Sequence, residues 1–442
     1  MSRRCRFLRS GLKGWLLLSL ALACLAQMSF AGPVPVLTLA EARSRALQTH
    51  PRVSVAELRS LAARQRVIQE RAAWLPQVSG AVTAVGTDDP AGLHVAAGSL
   101  NAPGVYERAG VGGTVSQLIT DFGRTANQVA SARLESQAAA TNALATRQQI
   151  LLEVDAAYFG LLRAQAVSTV ASATLTSRQH LLDQASALAS NHLRSELDVR
   201  FAQVGVDEAR LMVSRGRADV DAAQTSLALF LGPADRVPVE FSVIDEPLPA
   251  GPAVDSGSLV ARALAGRPEL VALRLSRDAS KRHVAAVRGQ QNPTVSVFGA
   301  AGVSPVHDDH FGHDYAAAGL NLSIPLFAGG LYQARETEAA RLAEASSAVV
   351  AEAELRVVRD VRLAWLEVVQ ASEALSLSRS LADSAGAALQ LAQARFEQGL
   401  SSIVELNQAD LNRTRAEIGV ATAAFDLRLR SDALDYAAGT LH

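Results

Sequence analysis

The residues in this sequence that are most typical of a metal-binding site are histidines and aspartates in one short segment. Three His and three Asp lie within eight residues: His307, Asp308, Asp309, His310, His313 and Asp314. Imidazole and carboxylate groups at this density can bind zinc, copper or nickel. The segment separates two predicted strands, and a polar, solvated loop tip explains its composition equally well. Both interpretations stay open for His307, His310 and His313, and no other metal or cofactor is expected.

Sequence signals of nucleotide hydrolysis and hydrolytic catalysis do not occur in this chain. Lys13 and Lys281 are the only lysines and neither follows a glycine, so there is no phosphate-binding G-x-x-x-x-G-K loop. The sequence also contains no G-x-S-x-G and no H-E-x-x-H, the signals of common hydrolases and metalloproteases. We therefore do not expect an enzyme.

The first 31 residues have the pattern of a secretory signal peptide. Five basic residues lead into an apolar run at 15–22, and Ser29-Phe30-Ala31 has the small-x-small form of a cleavage site. Both cysteines, Cys5 and Cys24, lie in this leader, and lipidation of Cys24 is the alternative. Removal of five positive charges changes the net charge from −1 to −6. A mildly acidic mature chain gives no reason to expect nucleic acid as a partner.

A long internal repeat organises the rest of the chain. Pro76-Gln-Val is matched by Pro293-Thr-Val, 217 positions later, and Val154 is matched by Val361, 207 positions later. The ten-residue change between these offsets falls in one loop of each half. A unit of about two hundred residues is too long for a solenoid repeat. We expect two duplicated halves, at 32–232 and 257–442, joined by a Pro-rich connector at 233–256.

Long helices are predicted in both halves because proline is absent from 104–232 and 326–442 and apolar residues recur every three or four positions. Tyr158 and Trp365, which match by the repeat, lie on this apolar seam, where packing explains them. A helix of about 67 residues is about 100 Å long. The predicted helices cover about 39–48, 52–74, 124–190, 195–230, 257–265, 268–290, 330–397 and 402–438.

Short segments of alternating polarity lie between these helices, at about 76–86, 108–118, 293–303 and 315–325. Ten residues is the length of a tilted membrane-spanning strand, although soluble sheets use similar strands. Beyond the leader the sequence has no apolar run of 18 residues. Four strands cannot close a barrel, and lipid does not tolerate open edges. If these strands enter a membrane, several chains must share one barrel.

The chain resembles the TolC-like outer-membrane efflux proteins over nearly its whole mature length. The resemblance rests on the tandem halves, on the turns Asp121-Phe122-Gly123-Arg124 and Phe327-Ala328-Gly329-Gly330, and on two hairpin tips. It implies a mainly α fold with a small β part. Long antiparallel coiled-coil helices would form a periplasmic tunnel, and four membrane strands per chain would complete a twelve-stranded trimeric barrel.

The resemblance also implies a function and a set of partners. The protein would be a homotrimer in the bacterial outer membrane, a passive duct for small molecules such as drugs and toxic compounds. A periplasmic adaptor (membrane fusion) protein and an inner-membrane pump, RND-type or ABC-type, would serve it. Type I protein secretion and metal-ion efflux are alternatives within this class, and a soluble periplasmic coiled-coil adaptor or scaffold is the alternative outside it.

By the same resemblance, acidic residues near the second tip narrow the tunnel entrance. Glu405 and Gln408 occupy those positions, and Asp198 is the first-half equivalent of Glu405. Gln408 replaces an acid and Ser401 replaces a linking arginine, for which Arg194 is the candidate substitute. Glu405 as a merely solvated helix residue is the alternative. The tips expected to dock the adaptor are Leu193, Arg194, Ser195, Gly399, Leu400, Ser401 and Ser402.

Overall fold

The two halves contain the same elements in the same order. The computed structural model describes residues 36–85, 108–232, 242–243, 248, 255–303 and 314–441. The first half contains β1 (Val36–Leu37), α1 (Leu39–Thr49), α2 (Pro51–Ala72), β2 (Gln77–Val85), β3 (Arg108–Thr120), α3 (Arg124–Ser190) and α4 (Glu196–Leu231). The second contains β4 (Ser242–Val243), α5 (Ser256–Gly266), α6 (Pro268–Arg288), β5 (Thr294–Val303), β6 (Asp314–Ser323), α7 (Leu331–Glu397) and α8 (Ile403–Ala438).

The ends of the long helices in the two halves differ by the same sequence offset. Adding 207 to both ends of α3 gives both ends of α7, and the same shift converts α4 into α8. Helices α3 and α7 have 67 residues each, which corresponds to about 100 Å. The predicted fold class is confirmed. The leader 1–31 and most of the connector 233–256 lie outside the described residues, so the proposed division of the chain stays a prediction.

The four longer strands form one antiparallel sheet in the order β2-β3-β5-β6. Its two hairpins have equivalent registers, since Val78 pairs with Val115 and Val295 pairs with Leu322. Between the pairs Val85–Arg108 and Gly302–Tyr315 the chain has 22 and 12 residues (86–107 and 303–314). The ten-residue difference between the halves therefore lies in these two connections. Strand β6 ends at Ser323, before the predicted 325, because Pro325 has no amide to donate.

The sheet has one apolar face and one polar face. Successive strand residues point to opposite sides, and the register places most apolar residues on one face and most polar residues on the other, although Leu118 and Phe298 lie on the polar face. The apolar face has large exposed side chains, including Val82 and Leu320 at 80% and 75% exposure. On the polar face the hydroxyls of Ser79 and Thr114 are 2.7 Å apart. The apolar face includes Val78, Val82, Val111, Val115, Val295, Val297, Val303, Leu320 and Leu322; the polar face includes Gln77, Ser79, Thr83, Thr114, Ser116, Thr294, Ser296, Asn321 and Ser323.

Left-handed turns connect the sheet to the long helices. Phe122 and Gly123 have φ values of 51° and 98°, and their repeat equivalents Gly329 and Gly330 have 59° and 83°. The carboxylate of Asp121 accepts hydrogen bonds from the backbone amides of Thr125 (2.8 Å) and Gly123 (3.2 Å). Burial acts to raise the pKa of Asp121, but the hydrogen bonds from the Thr125 hydroxyl and from these amides, together with the charge of Arg124, outweigh it and lower that pKa. The carboxylate thus satisfies amides at the start of α3.

Two core clusters lie midway along the helices, one mainly in each half, and a third lies near the end of α7 and the start of α8. Tyr158 is fully buried, and its hydroxyl donates to the carbonyl of Leu37 at 3.0 Å. Trp365 is partly buried against the second cluster. The fully buried carboxylate of Asp155 accepts two 2.7 Å hydrogen bonds from Arg43, which joins α1 to α3. Among the described residues, no helix combines the length and the apolar character required to cross a membrane.

Candidate functional site at the hairpin tips

The first tip is the loop between α3 and α4, about 100 Å along α3 from the sheet. His192 adopts the left-handed conformation (φ 56°), and the amide of Leu193 donates to the carbonyl of Leu188 at 2.9 Å. This is a Schellman-type end to the helix. The hydroxyl of Ser195 accepts from the amide of Leu197 at 3.1 Å and so caps α4. The side chain of Leu193 projects outward, 70% exposed.

The second tip, between α7 and α8, repeats this geometry 207 residues later. Gly399 has φ 73°, and the amide of Leu400 donates to the carbonyl of Arg395 at 2.8 Å. The hydroxyl of Ser402 accepts from the amide of Glu405 at 3.3 Å. Leu400 is 66% exposed, like its counterpart Leu193. Each tip is thus a hydrogen-bonded turn that exposes a leucine. In the second tip, Ser401 is partly buried.

Arg194 joins the two tips within one chain. Its guanidinium donates to the carbonyl of Phe396 at 2.9 Å and lies 4.5 Å from the centre of the Phe396 ring. The accepting carbonyl belongs to the last turn of α7, where a cation is favoured by the helix dipole. Arg194 therefore contacts the second tip through a backbone carbonyl and an aromatic face.

The acidic candidates lie on two different helices. Glu405 and Gln408 stand about one turn apart on α8, both exposed, while Asp198 is partly exposed on α4. The nearest cation to Glu405 is Arg395, with Nε 3.6 Å from Oε1. The amide nitrogen of Gln408 donates to Asn412 at 3.0 Å. Within the chain, then, Arg395 and not Arg194 offsets the charge of Glu405.

We predict that Arg194→Ala will loosen the contact between the tips by about 1–2 kcal/mol. The substitution removes one charge-assisted hydrogen bond and one cation–π contact. Hydrogen exchange of residues 188–197 and 395–403 would measure the change. Arg200→Ala is the matched control, because Arg200 forms a largely exposed pair with Glu196 that should contribute less than about 0.5 kcal/mol. Equal protection in the two variants would contradict a linking role for Arg194.

A buried charged cluster lies above the tips, and the sequence interpretation missed it. Arg178 on α3 is 5% exposed and donates to Asp410 on α8 at 2.9 Å. It also donates to the carbonyl of Gly205 (2.9 Å) and to Glu208 (3.0 Å), both on α4. Arg178 therefore holds three helices, drawn from both halves, at one point.

A sequence signal for this cluster did exist. The buried positions at the start of α8 are 403, 406, 410 and 414, the spacing of a coiled-coil seam. Asp410 and Thr414 occupy seam positions normally taken by apolar residues. The hydroxyl of Thr414 lies 3.2 Å from that of Thr174 on α3. A carboxylate at a seam position is expensive to bury unless it is paired, so its presence predicts a cation on a facing helix.

Polar side chains from both halves also line a cleft beside this cluster. It has a volume of about 250 Å³, and Arg178, His180, Gln393 and Asp410 contribute to its walls. In the described part of the chain no group of three or more His, Cys, Asp or Glu is placed to hold a metal ion. His307, His310 and His313 lie outside the described residues. The polar contacts of Arg178 near the tips therefore hold α3, α4 and α8 together.

Comparisons with known proteins agree with this architecture. The model of the family described as "outer membrane efflux protein" matches residues 42–233 and 259–440. The outer membrane protein TolC of Vibrio cholerae is 26% identical over 416 residues, covering 91% of each chain. The toluene efflux pump outer membrane protein TtgF of Pseudomonas putida is 26% identical over 355 residues, covering 77% of this chain and 70% of TtgF.

A solved structure shows the same fold. The outer-membrane channel OprN superposes with a TM-score of 0.78 at 23% identity, covering 91% of this chain and 89% of OprN. The two segments matched by the family model fall one in each half of the repeat and together cover most of the chain. The chain therefore belongs to the outer membrane efflux protein family, whose fold is that of channel proteins, and it is an outer-membrane protein with its helical part in the periplasm.

Proposed function

We propose that this protein is the passive exit duct of a tripartite export system, assembled from three copies. The observation that carries the proposal is the two-faced sheet at the end of the long helices. Its outer strands β2 and β6 each have one edge without a strand partner among the described residues. An edge without partners is not tolerated in lipid. Three copies would close a ring of twelve strands, with the apolar face toward lipid and the polar face toward water.

The tips are proposed to meet the other components of the system. They stand at the far end of α3 and α7 from the sheet and expose Leu193 and Leu400 in equivalent positions. Exposed apolar residues on rigid turns suit a protein partner. We propose that a periplasmic adaptor docks on residues 193–195 and 399–402. An inner-membrane pump of the RND or ABC type would supply the substrate.

Small apolar or toxic molecules are the proposed cargo. The name of TtgF identifies it with a toluene efflux pump, and we extend that class of substrate to this chain. Deletion of the gene should make cells accumulate an apolar dye and become sensitive to toluene. Loss of a secreted protein, or sensitivity to zinc or copper alone, would instead indicate type I secretion or metal efflux.

The location and the conductance of the protein test the duct itself. The mature chain should be recovered from the outer-membrane fraction and should form ion-conducting pores in planar bilayers. Recovery as a soluble monomer without conductance would support a periplasmic scaffold and contradict the duct.

We further predict opposite effects for two substitutions at the second tip. If Glu405 lines the entrance, three copies of its carboxylate attract cations, and Glu405→Ala should lower the cation-to-anion permeability ratio. Arg395→Ala should raise this ratio, because Arg395 lies 3.6 Å from Glu405 and offsets its charge. Reversal potentials in a salt gradient would measure both, with Glu196→Ala as the control. Unchanged selectivity and conductance in both variants would place Glu405 away from the constriction.

A further inference from the structure

We propose that the polar face of the sheet carries an apolar track that binds planar aromatic molecules on their way out of the duct. The track consists of Leu118 on β3, Phe298 on β5 and Tyr315 on β6, which lie among small and polar side chains on that face. The inference rests on the proposed function, in which this face borders the water inside the duct. It adds the class of cargo that the wall would bind.

The strand register sets the three residues of the track in order along the sheet. Leu118 lies opposite Ser296, and Tyr315 lies opposite Gly302. On β5, residues 296, 298 and 302 are separated by even numbers of residues and therefore point to the same side. At about 3.4 Å per residue, Phe298 is about 7 Å from the level of Leu118 and about 14 Å from the level of Tyr315. The track therefore extends over about 20 Å of the strands.

The ring of Tyr315 lies along the sheet and does not stand away from it. A β-carbon built at Gly302 would be 2.6 Å from the hydroxyl oxygen of Tyr315 and 2.7 Å from its ζ-carbon. A β-carbon at Gly112, on the next strand, would also meet this hydroxyl. The ring thus reaches from β6 across β5 toward β3, over two residues that have no side chain. Tyr315 is still 51% exposed, so the side of the ring that points away from the sheet is open.

The ring of Phe298 lies on the sheet in the same manner. A β-carbon built at Gly319 on β6 would be 3.0 Å and 3.1 Å from two carbon atoms of this ring. Glycine in a strand often marks a close approach of this kind. Phe298 is 42% exposed. The polar face therefore holds two aromatic rings, each with one side against a glycine and the other side open.

The side chains around the track favour an aromatic ligand over an ionic one. Among the described side chains on the polar face of β2, β3, β5 and β6, none is Asp, Glu, Lys or Arg. The polar neighbours offer hydroxyl and amide groups, as Thr114 and Asn321 do. A charged ligand would find no counter-charge here. A planar apolar ring, in contrast, can cover an open aromatic face in an offset stack and displace water from it.

The spacing of the two rings suits passage of a ligand better than its retention. Export requires binding that is strong enough to favour entry and weak enough, or divided over enough sites, to allow exit. Phe298 and Tyr315 lie on neighbouring strands at levels about 14 Å apart, so a ligand of one or two fused rings contacts one of them at a time. The track would therefore guide aromatic cargo along the wall without trapping it.

Two probes of equal charge test the track. Naphthalenesulfonate has a planar aromatic ring system, and its fully saturated analogue decahydronaphthalenesulfonate does not; the sulfonate keeps both in water. Saturation-transfer NMR titrations of the detergent-solubilised mature protein would measure their affinities, with a detergent blank. We expect tighter binding of the aromatic probe. Phe298→Leu with Tyr315→Leu should weaken that binding about tenfold, because each variant keeps an apolar side chain but loses the ring on which the probe stacks.

Phe327→Leu is the matched control. It makes the same chemical change at a residue that is 90% exposed and lies between the end of β6 at Ser323 and the start of α7 at Leu331. Because Phe327 is outside the strands, its substitution should leave the affinity for naphthalenesulfonate unchanged. A loss equal to that of the double variant would show that the probe binds any exposed aromatic side chain, and would overturn the track.

The remaining outcomes separate this inference from the proposed function. Conductance of the same preparations in planar bilayers reports whether the duct is present. A conducting wild-type protein that binds the two probes equally, or that loses no affinity in the double variant, would overturn the track and leave the duct intact. A wild-type protein without conductance would overturn both. The single variants replace the double variant should it fail to assemble, and unchanged affinity in both would also overturn the track.

Discussion

Replacing Asp410 by alanine is expected to detach the second hairpin from the first above the tips, at a cost of about 3–5 kcal/mol. Asp410 accepts a 2.9 Å hydrogen bond from Arg178, and the two residues are 8% and 5% exposed. Without Asp410, the guanidinium keeps the carbonyl of Gly205 and the carboxylate of Glu208. Because these two partners remain, the lower end of the range is expected, although Glu208 is largely exposed and compensates only part of the lost pairing.

Hydrogen exchange of residues 174–181 and 406–414 would measure this effect. Exchange there should become on the order of a hundredfold faster, since each 1.4 kcal/mol corresponds to tenfold. Arg413→Ala is the matched control on the same helix, because Arg413 pairs with Glu417 at the surface and should contribute less than about 0.5 kcal/mol. Arg178→Met combined with Asp410→Leu should recover most of the loss, since a buried pair can be replaced by apolar residues. Equal exchange in Asp410→Ala and Arg413→Ala would refute the linking role.

A single methyl group added at Gly302 is expected to destabilise the sheet by about 1–3 kcal/mol. A β-carbon at this position would lie 2.6 Å from the carbonyl oxygen of Val111 and 2.6 Å from the hydroxyl oxygen of Tyr315. The Tyr315 ring covers Gly302 on the polar face of the sheet. The ring can rotate away, but the Val111 carbonyl belongs to the neighbouring strand and can move only if the strand pairing is disturbed.

Gly299→Ala on the same strand is the control for this substitution. Its β-carbon would meet only the carbonyl of Ala317, at 3.8 Å, an ordinary contact. Alanine also loses less conformational entropy than glycine on folding, so stability should change by less than about 0.5 kcal/mol. Denaturant midpoints of the two variants in detergent would be compared. A midpoint for Gly302→Ala equal to that of Gly299→Ala would show that the close approach is not a constraint.

Local patterns predicted most of the fold. The absence of proline from 326–442 and the seam spacing within it predicted a helix as long as α7, because helix formation depends on residues three and four apart. The constant offsets predicted a duplicated structure, and the helix ends now follow the same offsets. Alternating polarity predicted the strands, since side chains in a strand point to opposite faces in turn.

The contacts that hold the tips could not be predicted in the same way. Arg178 and Asp410 are 232 residues apart, and Arg194 and Phe396 are 202 apart. Which arginine meets which acceptor depends on how α3, α4 and α8 cross, and no local period encodes that. The resemblance directed attention to Arg194 as a substitute lock, whereas its partner here is a backbone carbonyl. The one local signal for these contacts is Asp410, a carboxylate at a seam position.

The proposed duct requires several copies of this chain. The most direct test is the mass of the detergent-solubilised mature protein, measured by native mass spectrometry after recovery from the outer membrane. We expect a particle of three chains, because the sheet order β2-β3-β5-β6 leaves an edge at each end among the described residues and the proposed barrel of twelve strands needs three such sheets. A stable, folded monomer under these conditions would rule out the shared duct.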